Sequence, residues 1–542
     1  MTLAGRLVAA AAHLGKPRHQ VDVDRDLPAA MGDGAVLLAD RWYPRDQGDA
    51  PVVLMRSPYG RRQLGLVGRL LAERGYQVVL QSCRGTFGSG GEWDPFHHEQ
   101  ADGHATLAWV AAQPWFSGQV ATFGPSYLGL VQWAVAGDPP PYLAAMAMQV
   151  TASRFRDVVV YPGGSFAYET GAVWVHQLAH QELGWRKLVA AQLRAGKALT
   201  TVSGTLPLED ADMAGIGRRV PYYHDWLAHN RPGDPWWEPL DFSKDVGRMP
   251  PTSMLGGWYD IFLPSQVVDF ATLVEAGRRA RLTIGPWTHT NLGGMAAALR
   301  DGLDWLDSEL KGRPPAHAAP VRLYVMGSQR WVDLPRWPPP ATPQRWHLQP
   351  GGRLAPDPPA GGGPDRFRYD PADPTPAAGG PSLNWRTSGP RDQRPRESRP
   401  DVVCYTSDPL AADLTVAGPL GAQVWLRSSR RHFDVFVRLC RVSSRGVSKN
   451  VADGIVRVEP GDVDAGADGV MEVEVPMWPT AVTFRRGECI RLQVSSGAHP
   501  LFVRNLGSGE PLGTGRTLVA ADQEVWRDAA HPSAIVLPVS DI

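Results

Sequence analysis

Ser126 is the residue of this chain whose surroundings most suggest covalent chemistry. It lies in the stretch VATFGPSYLGLVQWAVA (residues 120–136), where a short apolar run meets Gly124-Pro125 and a helix-like pattern follows. A sharp strand-to-helix turn lifts a serine hydroxyl clear of the backbone, where it can attack a substrate carbonyl. Glycine and proline also punctuate ordinary turns, so a purely structural bend is the alternative interpretation. Nucleophilic catalysis is therefore a hypothesis that needs further groups elsewhere in the chain.

Two later residues could supply the base and the acid that a serine nucleophile needs. Asp260 ends the strand-like segment MLGGWYD, and His289 follows the strand-like segment RLTIGPW. Imidazole can take the serine proton near neutral pH, and a carboxylate fixes its tautomer and stabilises the imidazolium that forms. The chain order Ser, Asp, His is the order found in α/β-hydrolases. We therefore predict a triad of Ser126, Asp260 and His289.

A tetrahedral oxyanion at Ser126 would also need hydrogen-bond donors. The backbone N–H of Tyr127, directly after the serine, is one donor by geometry. The second usually comes from a loop after an earlier strand, which here is residues 56–60. This loop lacks the glycine run that supplies a backbone donor in many lipases, so we expect Tyr59 to contribute its hydroxyl instead.

The elements that would position these residues alternate between strands and helices. Short apolar strands and helical patterns follow each other from about residue 20 to 150, and the alternation returns after residue 245. This pattern predicts a mostly parallel sheet covered on both faces, here an α/β-hydrolase domain of residues 1–150 and 246–345. Residues 151–245 show helical spacing, notably over 171–196, and are predicted to form a helical cap inserted into that domain.

The C-terminal third has a different character. The stretch 350–380 is rich in Pro and Gly and is predicted to be a long connection at a domain boundary. Short alternating segments with turns between them follow, so residues 346–542 are predicted to form an all-β jelly-roll, a β-sandwich. Asp434 and Asp453 within it are expected to cap turns.

Composition and residue spacing give no support for several classes of partner. Lys plus Arg number 55 and Asp plus Glu number 55, which gives no reason to expect nucleic acid or an anionic membrane surface. Neither the four cysteines nor the histidines of HHEQADGH (97–104) have the spacing of metal ligands, so no metal and no cofactor are implied. Asp102 in that stretch is expected to cap a helix or pair with a cation. Unpaired cysteines and the lack of a long apolar run favour a cytoplasmic protein.

Several separated motifs resemble the CocE/NonD family of serine hydrolases, which includes X-Pro dipeptidyl peptidases of the S15 type. The motifs that carry the resemblance are SPYG (57–60), RGTFGSGGEW (84–93), QPWFSGQVATFGPSYLG (113–129), GGWYDIF (256–262), GPWTH (285–289) and RWVDLPRWPPP (330–340). The resemblance spans nearly the whole chain. Carried over by position, it implies Ser126 as nucleophile, Asp260 as acid, His289 as base, and Tyr59 with Tyr127 as the oxyanion hole.

The same resemblance bears on the substrate. Family members that hydrolyse α-amino-acid esters carry acidic residues two and three places after the triad aspartate, where this chain has Phe262 and Leu263. An apolar pair does not compensate the desolvation of an ammonium group. We therefore expect an apolar or aromatic acyl group, held by Phe262 together with the cap residues Trp174 and Phe166.

The sequence thus predicts a serine hydrolase that cleaves an ester, or an amide, of a small acyl substrate without a cofactor. The alternative within hydrolases is an X-Pro dipeptidyl aminopeptidase, and acyl transfer to an alcohol or amine would use the same triad. The alternative of another class is a non-catalytic carbohydrate-binding protein, since jelly rolls also occur in lectins. The expected partner is a small molecule, with no nucleic acid and no membrane, and self-association into a homo-oligomer is left open.

Overall fold

A ten-stranded sheet carries Ser126, Asp260 and His289 at the ends of its strands. The computed structural model describes residues 3–183, 196 and 198–542. The strands lie in the spatial order β1-β2-β4-β3-β5-β6-β7-β8-β9-β10. Their bounds are β1 Val21–Ala30, β2 Val36–Pro44, β3 Val52–Ser57, β4 Gln77–Ser82, β5 Val120–Pro125, β6 Leu143–Gln149, β7 Thr252–Tyr259, β8 Ala280–Thr288, β9 Val321–Val325 and β10 Arg330–Leu334.

The central strands are parallel, and helices flank the sheet. β4, β3, β5, β6, β7, β8 and β9 pair in parallel, while β1, β2 and β10 pair antiparallel at the two ends. β3 and β7 are buried along their whole length, as parallel strands covered on both faces must be. The predicted α/β-hydrolase domain is confirmed. The α-helices whose bounds the structure describes at both ends are α1 Leu3–Ala11, α2 Gly65–Ala72, α3 Glu99–Ala111, α4 Tyr127–Trp133, α5 Tyr168–His180, and then Ala211–Ile216, Pro221–Ala228, Leu263–Glu275, Leu292–Lys311 and the single turn Arg394–Glu397.

The segment between β6 and β7 forms a helical cap over the carboxyl ends of the strands. It contains α5, helical residues 198–204 and two further short helices. Of the helix predicted over 171–196, the structure has α5 up to His180, and residues 184–195 lie outside the described part of the chain. Large aromatic side chains fill the cap: Trp174 stacks on Trp226 with ring centroids 5.7 Å apart.

The C-terminal region is built from one eleven-stranded sheet. Its spatial order is β13-β20-β15-β18-β17-β16-β19-β14-β12-β11-β21, and the last strand, β21, also pairs with β15. The predicted all-β domain is confirmed. Its first strand, β11, begins at Thr342, shortly before the predicted start of the domain at residue 346. The bounds are β11 Thr342–Gln349, β12 Arg353–Ala355, β13 Asp365–Tyr369, β14 Val403–Thr406, β15 Leu414–Ser428, β16 Phe433–Val442, β17 Ser448–Val458, β18 Met471–Phe484, β19 Cys489–Ser495, β20 Ala521–Trp526 and β21 Ala534–Val539.

The Pro- and Gly-rich stretch 350–380 is part of this domain and not a free connection. It contains β12 and β13, which pair with other strands of the sheet. The backbone that follows is fixed by the buried guanidinium of Arg438, which donates to the carbonyls of Ala378 and Gly379 and to the Gln393 side chain. The composition indicated turns, but strand pairing at β12 and β13 and the buried Arg438 cation hold parts of this stretch in place.

The expectation that Asp434 and Asp453 cap turns is wrong. Asp453 lies in β17 and pairs with Arg438 of β16 at 2.6 Å, with both side chains buried. Asp434 lies in β16 and accepts from Arg457 at 2.8 Å. A buried carboxylate needs an opposite charge, and only the cross-strand register shows which arginine provides it.

Among the described residues, no helix is long and apolar enough to cross a bilayer.

We predict that Asp453→Ala lowers the free energy of unfolding by about 3–5 kcal/mol, because it leaves the buried Arg438 cation without its partner. The matched control removes the carboxylate of the exposed pair Arg368–Asp522, whose atoms are 2.8 Å apart. Asp522→Ala should lower the free energy of unfolding by less than about 1 kcal/mol, because both charges of this pair are exposed to water. Chemical denaturation followed by tryptophan fluorescence measures both, and equal losses in the two variants would contradict the assignment.

Candidate active site

Ser126 occupies a strained corner between β5 and α4. Its backbone angles, φ 57° and ψ −123°, lie outside the regions that non-glycine residues commonly adopt. The corner is held by hydrogen bonds: the Ser126 N–H donates to the Gln149 carbonyl of β6, and the Ser126 carbonyl accepts from Gly129 and Leu130. The neighbouring ladder and the first turn of α4 therefore fix the serine in a conformation that it would not hold alone.

The two glycines around the serine are required by close packing. A Cβ at Gly124, which has φ 151°, would lie 2.4 Å from the Cβ of Leu128. A Cβ at Gly129 would lie 2.3 Å from the Thr151 Cγ2, on the loop after β6. These contacts leave no room for a side chain and let α4 pack directly against that loop, so the glycines position Ser126.

The structure brings Ser126, His289 and Asp260 into one line of hydrogen bonds. The His289 Nε2 lies 3.0 Å from the Ser126 Oγ, and the His289 Nδ1 lies 2.7 Å from the Asp260 Oδ2. Ser126 follows β5, Asp260 follows β7 and His289 follows β8, so all three stand at the carboxyl edge of the parallel sheet. The arrangement can take a proton from the serine hydroxyl and hold the resulting imidazolium.

Asp260 is oriented by contacts on both sides. Its side chain is fully buried, and its Oδ1 accepts from the backbone N–H of Phe262 at 2.8 Å. Its own backbone carbonyl accepts from the Trp478 indole at 3.0 Å. Trp478 lies in β18, so the C-terminal domain directly supports the loop that carries the acid. Sequence spacing gave no indication of this contact.

Tyr59 and Tyr127 both line the space in front of the serine. Burial raises the pKa of the Tyr59 phenol to about 12, with partial opposition from hydrogen bonds to Trp174 and Ser126, so the hydroxyl is protonated at neutral pH. The Tyr127 N–H is the first amide of α4, so no preceding carbonyl of the helix is placed to accept from it. One hydroxyl and one amide are thus available beside the Ser126 Oγ.

The side chain of Tyr127 is fixed by a buried charge network that sequence reasoning missed. Its hydroxyl donates to the Glu99 carboxylate and accepts from the Phe96 N–H, each at 2.9 Å. Glu99 pairs with Arg56 at 2.8 Å. The network continues to Asp102, whose carboxylate pairs with the Arg84 guanidinium at 2.6 Å. Of the two roles expected for Asp102, helix cap or partner of a cation, the structure shows the second. Burial and the adjacent Glu99 charge raise the pKa of Tyr127 well above its usual range.

A cavity of about 30 Å³ opens beside Ser126 and is walled by aromatic and aliphatic side chains. The predicted pocket residues Phe262 and Trp174 are both part of its wall. The structure does not place Phe166 there: it is fully buried and packs against Tyr161, with centroids 5.5 Å apart. Sequence reasoning did not single out the remaining wall residues, which are Phe96, Leu130, Phe155, Val159, Ile261 and Leu383.

Leu383 reaches this wall from a segment that precedes most of the C-terminal sheet. The segment is held against the cap by Glu169 of α5, whose carboxylate accepts from Ser382 at 2.6 Å and from Asn384 at 2.7 Å. Thr387 donates to the same carboxylate at 3.0 Å. The cavity is therefore closed by three parts of the chain that are distant in sequence.

No group of three or more potential metal ligands occurs among the His, Cys, Asp and Glu residues that the structure describes. The four cysteines are unpaired.

Comparison with known proteins identifies relatives over most of the chain. The profile of the X-Pro dipeptidyl-peptidase family (S15) matches residues 33–291, and that of the X-Pro dipeptidyl-peptidase C-terminal non-catalytic domain matches residues 316–536. Cocaine esterase from Rhodococcus sp. (strain MB1 Bresler) is 31% identical, over 94% of this chain and 97% of the esterase.

Solved structures share the fold. An aminopeptidase from a marine sediment Thaumarchaeota archaeon superposes with a TM-score of 0.80 at 23% identity, covering 97% of each chain. An α-amino acid ester hydrolase superposes with a TM-score of 0.82 at 22% identity, covering 97% of this chain and 98% of the other.

We predict that Gly129→Ala lowers the free energy of unfolding by about 1–3 kcal/mol, because the new methyl group overlaps Thr151. It should also lower kcat, since α4 and the Ser126 corner must move together. Gly204→Ala is the control: nothing lies within 4 Å of a Cβ there. Because the position is helical, Gly204→Ala should leave the free energy of unfolding unchanged or raise it by up to about 1 kcal/mol. Thermal unfolding and ester turnover of both variants check the prediction, which fails if Gly129→Ala behaves like Gly204→Ala.

Proposed function

The chain belongs to the CocE/NonD family of serine hydrolases, and we propose that it hydrolyses esters of small apolar or aromatic carboxylic acids through Ser126, His289 and Asp260. The family membership makes the protein a serine hydrolase. The residue roles and the substrate class are the proposal. The observation that carries it is the continuous line from the Ser126 Oγ through His289 to the Asp260 carboxylate, at 3.0 and 2.7 Å.

In the acylation half, the Ser126 oxygen attacks the ester carbonyl while the His289 Nε2 takes the hydroxyl proton. The negative charge that develops on the carbonyl oxygen is stabilised by the Tyr59 hydroxyl and the Tyr127 N–H. Asp260 stabilises the imidazolium through the Nδ1–H and stays ionised. The C–O bond to the alcohol then breaks, and His289 returns its proton to the leaving oxygen.

In the deacylation half, a water takes the place of the alcohol. His289 removes a proton from this water, which attacks the acyl-enzyme carbonyl, and the same two donors hold the second oxyanion. Collapse of the intermediate breaks the bond to Ser126, which regains its proton from His289. The acid is released and the resting hydrogen bonds form again.

The wall of the cavity supports a neutral acyl group. Aromatic and aliphatic side chains line it, and no carboxylate is among the described wall residues. The positions two and three after Asp260 hold Phe262 and Leu263, which are both buried. An ammonium placed there would lose its hydration without an opposite charge, whereas an alkyl or aryl group would gain from burial.

The other candidates have less support. An X-Pro dipeptidyl aminopeptidase must bind a free amino terminus, which the apolar wall disfavours. Acyl transfer uses the same residues and differs only in the nucleophile of the second half. Membership in a serine hydrolase family argues against a non-catalytic carbohydrate-binding protein. A cytoplasmic location, which the unpaired cysteines favour, stays a prediction, and self-association stays open.

We predict that Ser126→Ala and His289→Ala each lower kcat on an aryl ester by about 10⁴–10⁶ and leave the fold intact. The reason is that each variant lacks either the attacking oxygen or the base that activates it. Steady-state turnover measures the loss, and circular dichroism tests the fold. A fluorophosphonate probe should label the wild-type protein and leave Ser126→Ala unlabelled. Near-wild-type turnover by either folded variant would refute the proposed roles.

We predict that kcat/KM for p-nitrophenyl propionate is about 10²-fold higher than kcat/KM for alanine p-nitrophenyl ester. The two esters differ chiefly in an ammonium group, whose desolvation the pocket does not compensate. An X-Pro p-nitroanilide should be a still poorer substrate. Release of p-nitrophenol or p-nitroaniline measures all three. A preference for the alanine ester, or X-Pro turnover equal to that of the propionate, would favour the aminopeptidase alternative.

A further inference from the structure

The Tyr59 hydroxyl has a geometric requirement that its own side chain does not meet. A phenol carries one hydrogen, which rotates about the C–O bond and can point toward any nearby acceptor. It stabilises an oxyanion best if that hydrogen already points at the place where the charge develops, because no reorientation is then needed. A neighbour that donates to the phenol oxygen would exclude the orientations in which the hydrogen points at that neighbour.

Trp174 is placed to do this. Its indole Nε1–H donates to the Tyr59 hydroxyl oxygen at 3.1 Å. An indole N–H is a donor only, so at this contact the Tyr59 oxygen must accept, and its own hydrogen is left for another acceptor. We propose that Trp174 is the positioning residue of the oxyanion hole and directs the Tyr59 hydrogen toward the reacting carbonyl oxygen. This inference rests on the proposed function.

The orientation of the indole is fixed by its own packing. Trp174 is buried in α5 and stacks on Trp226 at 5.7 Å with an interplanar angle of 11°. On another side it stacks on Phe96 at 5.5 Å and 16°. A ring held between two aromatic neighbours cannot turn its N–H away from Tyr59, so the donor direction is set before substrate binds.

A second contact links the same part of the cap to the same loop. Gln181, directly after α5, donates its side-chain N–H to the Pro58 carbonyl at 3.0 Å. The cap thus holds both the backbone before Tyr59 and the hydroxyl at its tip. The oxyanion hole is consequently complete only when α5 lies over the α/β-hydrolase domain.

A matched pair of variants separates the hydrogen bond from the bulk of the ring. Trp174→Phe removes the N–H donor. Trp174→His removes the fused six-membered ring but keeps a donor, because its Nε2–H can stand where the indole Nε1–H stands. We expect Trp174→Phe to lower kcat on p-nitrophenyl acetate by about tenfold, the effect of one neutral hydrogen bond, with a smaller change in KM. Trp174→His should keep more of kcat, and an equal loss in both variants contradicts the proposal.

A double-variant cycle tests whether Trp174 acts through Tyr59. Tyr59→Phe alone should lower kcat by about 10²–10³. Adding Trp174→Phe to it should cause no further loss beyond about twofold, because the hydrogen to be directed is gone. If Trp174→Phe costs the same factor with and without the Tyr59 hydroxyl, the residue acts only as a wall of the pocket.

The acyl group gives an independent readout. If Trp174 positions Tyr59, Trp174→Phe should lower kcat by a similar factor for p-nitrophenyl acetate and p-nitrophenyl benzoate. If Trp174 acts only as a wall of the pocket, that factor should change with the size of the acyl group. Phenylboronic acid, which forms a tetrahedral adduct on the serine, should lose affinity in parallel with kcat/KM.

The control for damage to the cap is Trp237→Phe, which also removes a buried indole donor, here to the His229 carbonyl at 2.7 Å. It should keep kcat even if its thermal midpoint falls as far as that of Trp174→Phe. An equal loss of kcat in Trp237→Phe would assign the effect to damage of the cap. If Trp174→Phe does not fold, Trp174→His and its cycle with Tyr59→Phe carry the test. Wild-type kcat in Tyr59→Phe would refute the oxyanion hole itself, while a loss there without one in Trp174→Phe would refute only the positioning role.

Discussion

The hydrogen-bonded line from Ser126 through His289 to Asp260 is the constraint on which the rest of the molecule depends. Its members follow β5, β7 and β8, and a displacement of about 1 Å in any of these loops would separate a proton donor from its acceptor. A parallel sheet meets this demand, because the carboxyl ends of neighbouring strands meet at one edge. The strained backbone of Ser126 persists for the same reason, since the β6 ladder and α4 fix it from both sides.

Support for this line comes from all three parts of the chain. The C-terminal domain holds the Asp260 carbonyl through Trp478 and sends Leu383 into the cavity wall. The cap carries Trp174 to the Tyr59 hydroxyl and binds the Leu383 segment through Glu169. The contacts of Trp478, Trp174 and Glu169 are hydrogen bonds between regions, and that of Leu383 is apolar. The site is therefore a property of the assembled chain and not of the α/β-hydrolase domain alone.

Charge is arranged differently behind the serine and in front of it. Behind it, Glu99 and Arg56 form a buried pair, and Glu99 accepts from the Tyr127 hydroxyl, so the residue after Ser126 is held in place by the protein alone. In front of it, the described wall of the cavity is apolar. In the proposed mechanism, oriented donors act on the developing oxyanion in surroundings with little competing water, which strengthens their hydrogen bonds, and the same surroundings disfavour a charged acyl group.

By itself the sequence determined the order of elements, the strand-helix corner at Ser126, and the residue types at Asp260, His289 and Tyr59, because period, turn residues and chain order are local. It did not determine which side chains meet across domains. Phe166 has the right chemistry for the pocket, yet it packs inside the cap, whereas Leu383 comes from just beyond the Pro- and Gly-rich stretch 350–380, where the sequence indicated no pocket residue. Likewise, only cross-strand register pairs Asp453 with Arg438. Tertiary structure decided these contacts, because a side chain's neighbours depend on the register and packing of elements that are far apart in the chain.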